Sequence, residues 1–193
     1  MQIIQDKGSF QITDDKSRVG TVNPPSTGSI SIKREDMGSF RQFVLTLDNV
    51  PQAVVNGTEY QGTKLYTFPE GRVFVLGVTA TLQQKTTSAL ASTLNASSTG
   101  AIALGTAAAT GTTLSGTAAD LLPSTAFTSS ATVNVAGTAV SAALAAAAQF
   151  DGTSTAKSIY LNTAYATTTD VDGDATQTIS GTVRVSYVWL GDY

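Results

Sequence analysis

At 193 residues the chain is long enough to bury one sizeable core. With 41% hydrophobic residues, 13% charged residues and a formal net charge of −3, it has neither a disordered composition nor the basic surface of a nucleic-acid binder. His and Cys are both absent, which excludes disulfides, thiolate or imidazole metal ligands, and every mechanism with a histidine base, the Ser-His-Asp triad included.

The opening residues, Met1-Gln2-Ile3-Ile4-Gln5-Asp6, carry neither a basic start nor an apolar core, so no secretory signal is expected there. The longest apolar run, Ala142–Ala148, is too short to span a bilayer, so no membrane partner is expected. Residues 1–37 hold a disproportionate share of the charge: Asp6, Lys7, Asp14, Asp15, Lys16 and Arg18, then Lys33, Arg34, Glu35 and Asp36. Short apolar pieces alternate there with polar turns, and Asn23-Pro24-Pro25 favours extended chain because Pro fixes φ and restricts its predecessor. This segment reads as an N-terminal arm with one or two edge strands, or as an ordinary N-terminal hairpin. Residues 38–193 read as a single β-sandwich domain.

Ser29–Lys33 alternates with period two, and Gln42–Leu47 does so in part. Gln52–Val55 meets Asn56-Gly57, a pair suited to a tight hairpin turn. Lys64–Phe68 is a further strand, closed by Pro69-Glu70-Gly71. Arg72–Leu82 is the longest apolar strand, with a bulge expected at Gly77 and a continuous apolar start that predicts burial on both faces.

From Thr86 to Ala156 the texture changes to Ala, Thr, Ser and Gly, with no Lys or Arg. Gly-Thr pairs recur at irregular spacing, as at Gly105-Thr106 and Gly137-Thr138, and suit short strands joined by tight turns. So small and uncharged a stretch is expected to lie in a subunit interface in preference to an exposed Thr/Ser-rich sheet. Ala139–Ala148 has helix propensity, but its bracketing turns favour strand. The final stretch, Gln149–Tyr193, holds two β-rich runs on either side of Asp170-Val171-Asp172-Gly173-Asp174 and predicts a long antiparallel hairpin with Trp189 as a core anchor.

Several pieces approach known chemistry without completing it. Gly57–Lys64 resembles a phosphate loop, but Thr63 interrupts the Gly-Lys pair and Lys64 opens a strand in place of a helix. Ser154-Thr155-Ala156-Lys157 matches Ser-x-x-Lys without the helix or partner motifs that chemistry needs. Asp170, Asp172 and Asp174 are the candidate cation ligands, yet Gly173 falls between the second and third acids where a calcium loop has its glycine after the third, and Gly181 stands where the bidentate Glu belongs, so a solvated acidic turn is the preferred reading. Asn56 and Asn95 match glycosylation acceptors by pattern, and turn chemistry explains them as well. The spacing of Glu35, Asp36, Glu59 and Glu70 places no two carboxylates in one cleft. No catalytic, cofactor or metal site is expected, and the protein is not expected to be an enzyme.

Phe68-Pro69-Glu70-Gly71-Arg72-Val73-Phe74-Val75-Leu76-Gly77-Val78, Phe150-Asp151-Gly152-Thr153, Ala156-Lys157-Ser158-Ile159-Tyr160-Leu161-Asn162, and Asp172-Gly173-Asp174-Ala175-Thr176 through Leu190-Gly191-Asp192-Tyr193 carry a resemblance. They resemble small structural proteins of tailed bacteriophages, over roughly the C-terminal two thirds, with the middle alike mostly in texture. The resemblance implies an all-β fold: an antiparallel β-sandwich, jelly-roll-like, with an extended N-terminal arm. It further implies a capsid decoration (cement) protein that sits on the exterior of the virion, often as a homotrimer. Such a protein binds the major capsid protein, clamps neighbouring capsomers, and is made in the bacterial host cytoplasm. The alternative is a receptor- or glycan-binding β-module of a phage tail or cell surface, which exposed aromatics such as Tyr60, Tyr165 and Tyr193 would serve.

Overall fold

The computed structural model describes residues 2–6, 9–13, 20–85, 99–128, 139–142, 149–166, 171 and 173–191. The strands are β1 (Gln2–Asp6), β2 (Ser9–Thr13), β3 (Thr21–Val22), β4 (Ser29–Met37), β5 (Phe40–Val54), β6 (Tyr60–Thr67) and β7 (Gly71–Lys85). They continue with β8 (Thr99–Gly105), β9 (Leu122–Thr128), β10 (Ala139–Ala142), β11 (Gln149–Gly152), β12 (Ser158–Tyr165) and β13 (Ala175–Gly191). Among the described residues there is no α-helix, only a 3-10 turn at Gly116–Ala118.

Two antiparallel sheets pack face to face. One runs β10-β7-β13-β5-β4, with β11 on the same outer edge of β7 as β10; the other runs β3-β6-β12-β8-β9. The chain is an all-β sandwich, as its alternating patterns predict. Strand β13 shows why: Ile179, Val183, Val185 and Tyr187 are buried while Thr182 and Arg184 between them are exposed. Opposite it, Phe43, Leu45 and Leu47 of β5 face the same core, and Thr46 and Asp48 face out. From the second sheet Leu65, Leu104, Ile159 and Leu161 complete that core. Strands β1 and β2 pair with each other and belong to neither sheet. Strands β3 and β4 lie at sheet edges, against β6 and β5.

The long C-terminal hairpin does not form. Strand β12 pairs with β6 and β8, and β13 pairs with β5 and β7, so the two runs sit in opposite sheets. Their apolar faces meet across the core, where Ile159 and Leu161 share one cluster with Val183 and Val185. An Asp-Gly turn says that the chain reverses. It does not say whether the returning strand hydrogen-bonds beside the first or packs on top of it. Residues 166–174 leave enough chain to cross the roughly 10 Å between packed sheets. At Asn56-Gly57 the turn is as tight as expected, with Val55 bridged to Thr58 and Gly57 at φ 86°. Beyond that bridge β5 and β6 likewise part into different sheets.

Strand β7 corrects a second expectation. Val73, Val75 and Val78 are buried, but Phe74 and Leu76 are 38% and 47% exposed, so the strand is buried on one face, not both. An apolar run cannot by itself distinguish a doubly covered strand from one with apolar side chains on its open face. The bulge lies where Gly77 predicts it, since Ser186 pairs with Gly77 and the next residue, Tyr187, with Val75. Ala139–Ala142 is strand, paired with Val78–Thr81; residues 143–148 lie outside the described residues.

Part of the uncharged middle folds onto its own chain. Residues 106–121 lie over the outer face of the five-stranded sheet, where Leu114 clusters with Ala103 and Ala164. The fully buried Asn162 ties this cover down: its amide donates to the carbonyls of Ala107 (3.0 Å) and Ala118 (2.8 Å), and its carbonyl accepts from the Ala109 N–H (2.9 Å). Asp120 accepts from the backbone N–H and hydroxyl of Thr106 at 2.8 and 2.6 Å. Small residues are required here, because a Cβ on Gly62 would come within 2.6 Å of the Ala108 Cβ. The Ala/Gly texture read as a subunit interface is, over this loop, a close approach of backbone to sheet within one chain. Residues 86–98 and 129–138 of the same stretch lie outside the described residues.

Candidate functional site

The sequence motifs are scattered by the fold and turned to structural ends. Asp174 accepts a hydrogen bond from the Asn56 backbone N–H at 3.0 Å, so it closes a turn. Asp170 and Asp172 lie outside the described residues. Among the described residues no group of three or more carboxylates could hold a metal. Lys64 stands on β6 with its ammonium 5.6 Å from the Tyr160 ring centroid, far from any phosphate-loop geometry. Ser154 and Lys157 precede β12 without a helix, and the Lys157 carbonyl accepts from the Phe68 N–H.

The acids also serve different elements. Glu35 pairs with Lys33 across an exposed 3.4 Å contact on β4. The buried Glu59 accepts from the Gly57 N–H at 2.9 Å, and Glu70 offers its backbone carbonyl to Trp189. Of the aromatics proposed for a glycan cleft, Tyr165 is buried in the core and Tyr60 is half-buried beside the Leu114 cluster. Tyr193 lies outside the described residues. Asn56 sits in its exposed turn, and Asn95 lies outside the described residues.

Two polar clusters were not visible in the sequence. Between the sheets, Gln177 Oε1 accepts from Gln84 Nε2 (2.7 Å) and from the Tyr165 hydroxyl (2.9 Å), while Thr163 donates to Gln52 Oε1 (3.3 Å). All five side chains are buried. At the other end of the core, the Tyr66 and Tyr187 hydroxyls are hydrogen-bonded to each other, with Arg34 and Arg41 beside them. Burial pushes both phenols above their ordinary range, Tyr66 the further, and the neighbouring Tyr187 adds to its shift. Trp189 closes this end at the rim of the core, its indole N–H on the Glu70 carbonyl (2.7 Å) and the Arg41 guanidinium 4.5 Å from its ring centroid.

The surface that remains is the outer face of the six-stranded sheet. Strand register assembles it in rows, since directly opposed residues point to the same face. Met37, Phe40, Val188 and Phe74 form one row across β4, β5, β13 and β7. Lys33, Val44, Arg184 and Thr79 form another, and Ser31, Thr46, Thr182 and Thr81 a third. Leu76 and Leu190, 47% and 51% exposed, sit beside the apolar row. The hairpin β4–β5 makes this surface with β7 and β13, which are distant from it and from each other in sequence, so no local motif could announce it.

No helix among the described residues is long and apolar enough to cross a membrane. No family model, no curated protein and no solved structure matches this chain.

Proposed function

We propose that this protein is a structural component of a bacteriophage virion, a capsid decoration (cement) protein. It would bind the outside of the shell, contact the major capsid protein and stabilise the junctions between capsomers as a homo-oligomer. What supports the reading is the likeness of its β7, β11–β12 and β13 segments to such proteins, together with one structural observation that carries it. The hairpin β1–β2 pairs with neither sheet of the sandwich, which supports its use as an arm toward a neighbour. Weak contacts of this kind, repeated by the symmetry of a shell, add up to tight attachment.

The test is co-sedimentation with purified capsids of the phage that encodes the protein. The truncation belongs before Gly20, because the Gly20 carbonyl accepts from Arg34 and β3 pairs with β6. The full chain is expected in the pellet, and residues 20–193 in the supernatant with an unchanged melting temperature. Failure of the full chain to pellet would overturn the decoration reading. Equal binding of the truncated form would remove the hairpin from it.

A further inference from the structure

We infer that the outer face of the six-stranded sheet holds a second copy of this chain, packed face on face. The two outer faces of the sandwich are not alike. One is closed by its own chain, by residues 106–121 tied to Asn162. The other has no such cover among the described residues. Of the large apolar side chains exposed by more than a third among those residues, Met37, Phe74, Leu76 and Leu190 belong to this face, and Val55 alone lies elsewhere. Thr and Ser fill its far rows, and its charged side chains, Lys33, Glu35, Asp48, Arg72 and Arg184, are of both signs. Lys33 pairs with Glu35 at 3.4 Å, and Arg184 donates to Gln42 Oε1 at 3.2 Å. A second copy therefore meets no field of one sign.

The dimensions choose the occupant. Strands about 4.8 Å apart and about 3.3 Å per residue give five strands and nine residues an area on the order of 700 Å². A stable, specific interface needs about 800 Å² from each partner. A peptide strand or a single helix would cover only the apolar row and leave the rest wet. A flat surface of equal breadth is what a copy of the same sheet provides, and sheets stack in this way about 10 Å apart inside sandwiches. Such a contact uses the same patch on both partners and closes at two.

This inference does not rest on shell attachment. A monomer in solution would sink it and leave the co-sedimentation result untouched, and loss of capsid binding would leave the dimer standing. The experiment is sedimentation velocity of the full chain from about 0.1 to 100 μM, which covers the weak end of the range spanned by interfaces of this size. A monomer–dimer equilibrium is expected. Phe74→Asp and Leu76→Asp should each weaken it by at least tenfold, and Val55→Asp should leave it unchanged, with melting temperature as the folding control. Should both charged variants misfold, Arg184→Cys near the middle of the face supplies the answer in a chain that has no cysteine of its own. A bis-maleimide that spans about 10 Å should then trap a linked dimer, since sheets packed at that spacing stand too far apart for a disulfide. A monomer at every concentration, a dimer insensitive to both apolar variants, absence of the crosslink, or a trimer would each overturn the inference.

Discussion

Tyr66 and Tyr187 show how a residue identity becomes a property of the whole fold. Both hydroxyls are neutral donors or acceptors inside the protein, and burial raises both of their pKa values. In the unfolded chain each phenol ionises near the ordinary pH of about 10. The folded state thus binds more protons than the unfolded state above that pH, and stability falls as pH rises. Below pH about 9 both states are protonated and the contribution is complete. Urea unfolding should show a stability plateau up to that pH and then a loss of up to about 1.4 kcal/mol per pH unit for each tyrosine. Tyr66→Phe should make the alkaline slope shallower, and an unchanged slope would show that other groups govern it.

The glutamine cluster makes a second case at this scale. Gln177 accepts two hydrogen bonds from Gln84 and Tyr165 and is fully buried. Gln177→Leu would remove the acceptor they share, leaving Gln84 Nε2 with its longer 3.3 Å bond to the Tyr165 hydroxyl, and should cost about 2–4 kcal/mol in urea unfolding. Gln52 is buried as deeply, but its Nε2 has no hydrogen-bond partner among the described residues. Gln52→Met removes that unmet donor along with one acceptor and should cost less than about 1.5 kcal/mol. Equal losses in the two variants would contradict this ranking. Neither cluster was legible in the sequence, because Gln52, Gln84, Thr163, Tyr165 and Gln177 meet only once β5, β7 and β13 have paired and β12 of the other sheet has packed on them.

Among the elements, the strands themselves were legible and their partners were not. The period-two alternation of Phe43, Leu45 and Leu47, or of Val183, Val185 and Tyr187, states which face is inward. It leaves open which strand lies alongside. That is why the hairpin expected from Gln149 to Tyr193 became two strands in opposite sheets, and why the apolar start of β7 suggested a burial it does not have. Bulges were more readable, because they need particular residues. Gly77 was expected and found. Gly181 performs the same office in β13, at the register break opposite Leu47–Val50, with φ 139°. A Cβ there would collide with the Thr81 carbonyl oxygen of the neighbouring strand. Gly181→Ala therefore combines a disallowed backbone angle with a backbone clash, and should destabilise the fold by about 2 kcal/mol or more. Thr182→Ala, one residue on and exposed, should change stability by less than about 0.5 kcal/mol. A tolerated Gly181→Ala would mean that the break in pairing can move.

At the scale of the molecule, the wiring sets how the sandwich must fold. Strand β13 lies between β5 and β7, pairing with Phe40–Val54 on one side and with residues 72–85 on the other. The six-stranded sheet thus has no centre until a strand more than a hundred residues downstream of β5 is inserted. In the second sheet β12 does the same between β6 and β8. The core is single and runs through both, since Leu45, Leu65, Ile159 and Val185 belong to one cluster. Neither sheet can bury its apolar face before the other exists, so partial structures gain little and unfolding should be all-or-none. Closing such long loops before any contact rewards them makes refolding slow, on the millisecond-to-second scale of all-β sandwiches. Trp189 is a built-in reporter: it is the only tryptophan, lies at the rim of the core, and loses both its Glu70 hydrogen bond and its Arg41 contact when the sheets part. Its fluorescence and the far-ultraviolet circular dichroism should trace one coincident urea transition, and stopped-flow refolding should show the same slow phase in both signals. Separate midpoints would show that the two sheets unfold as independent units, which the shared core does not permit.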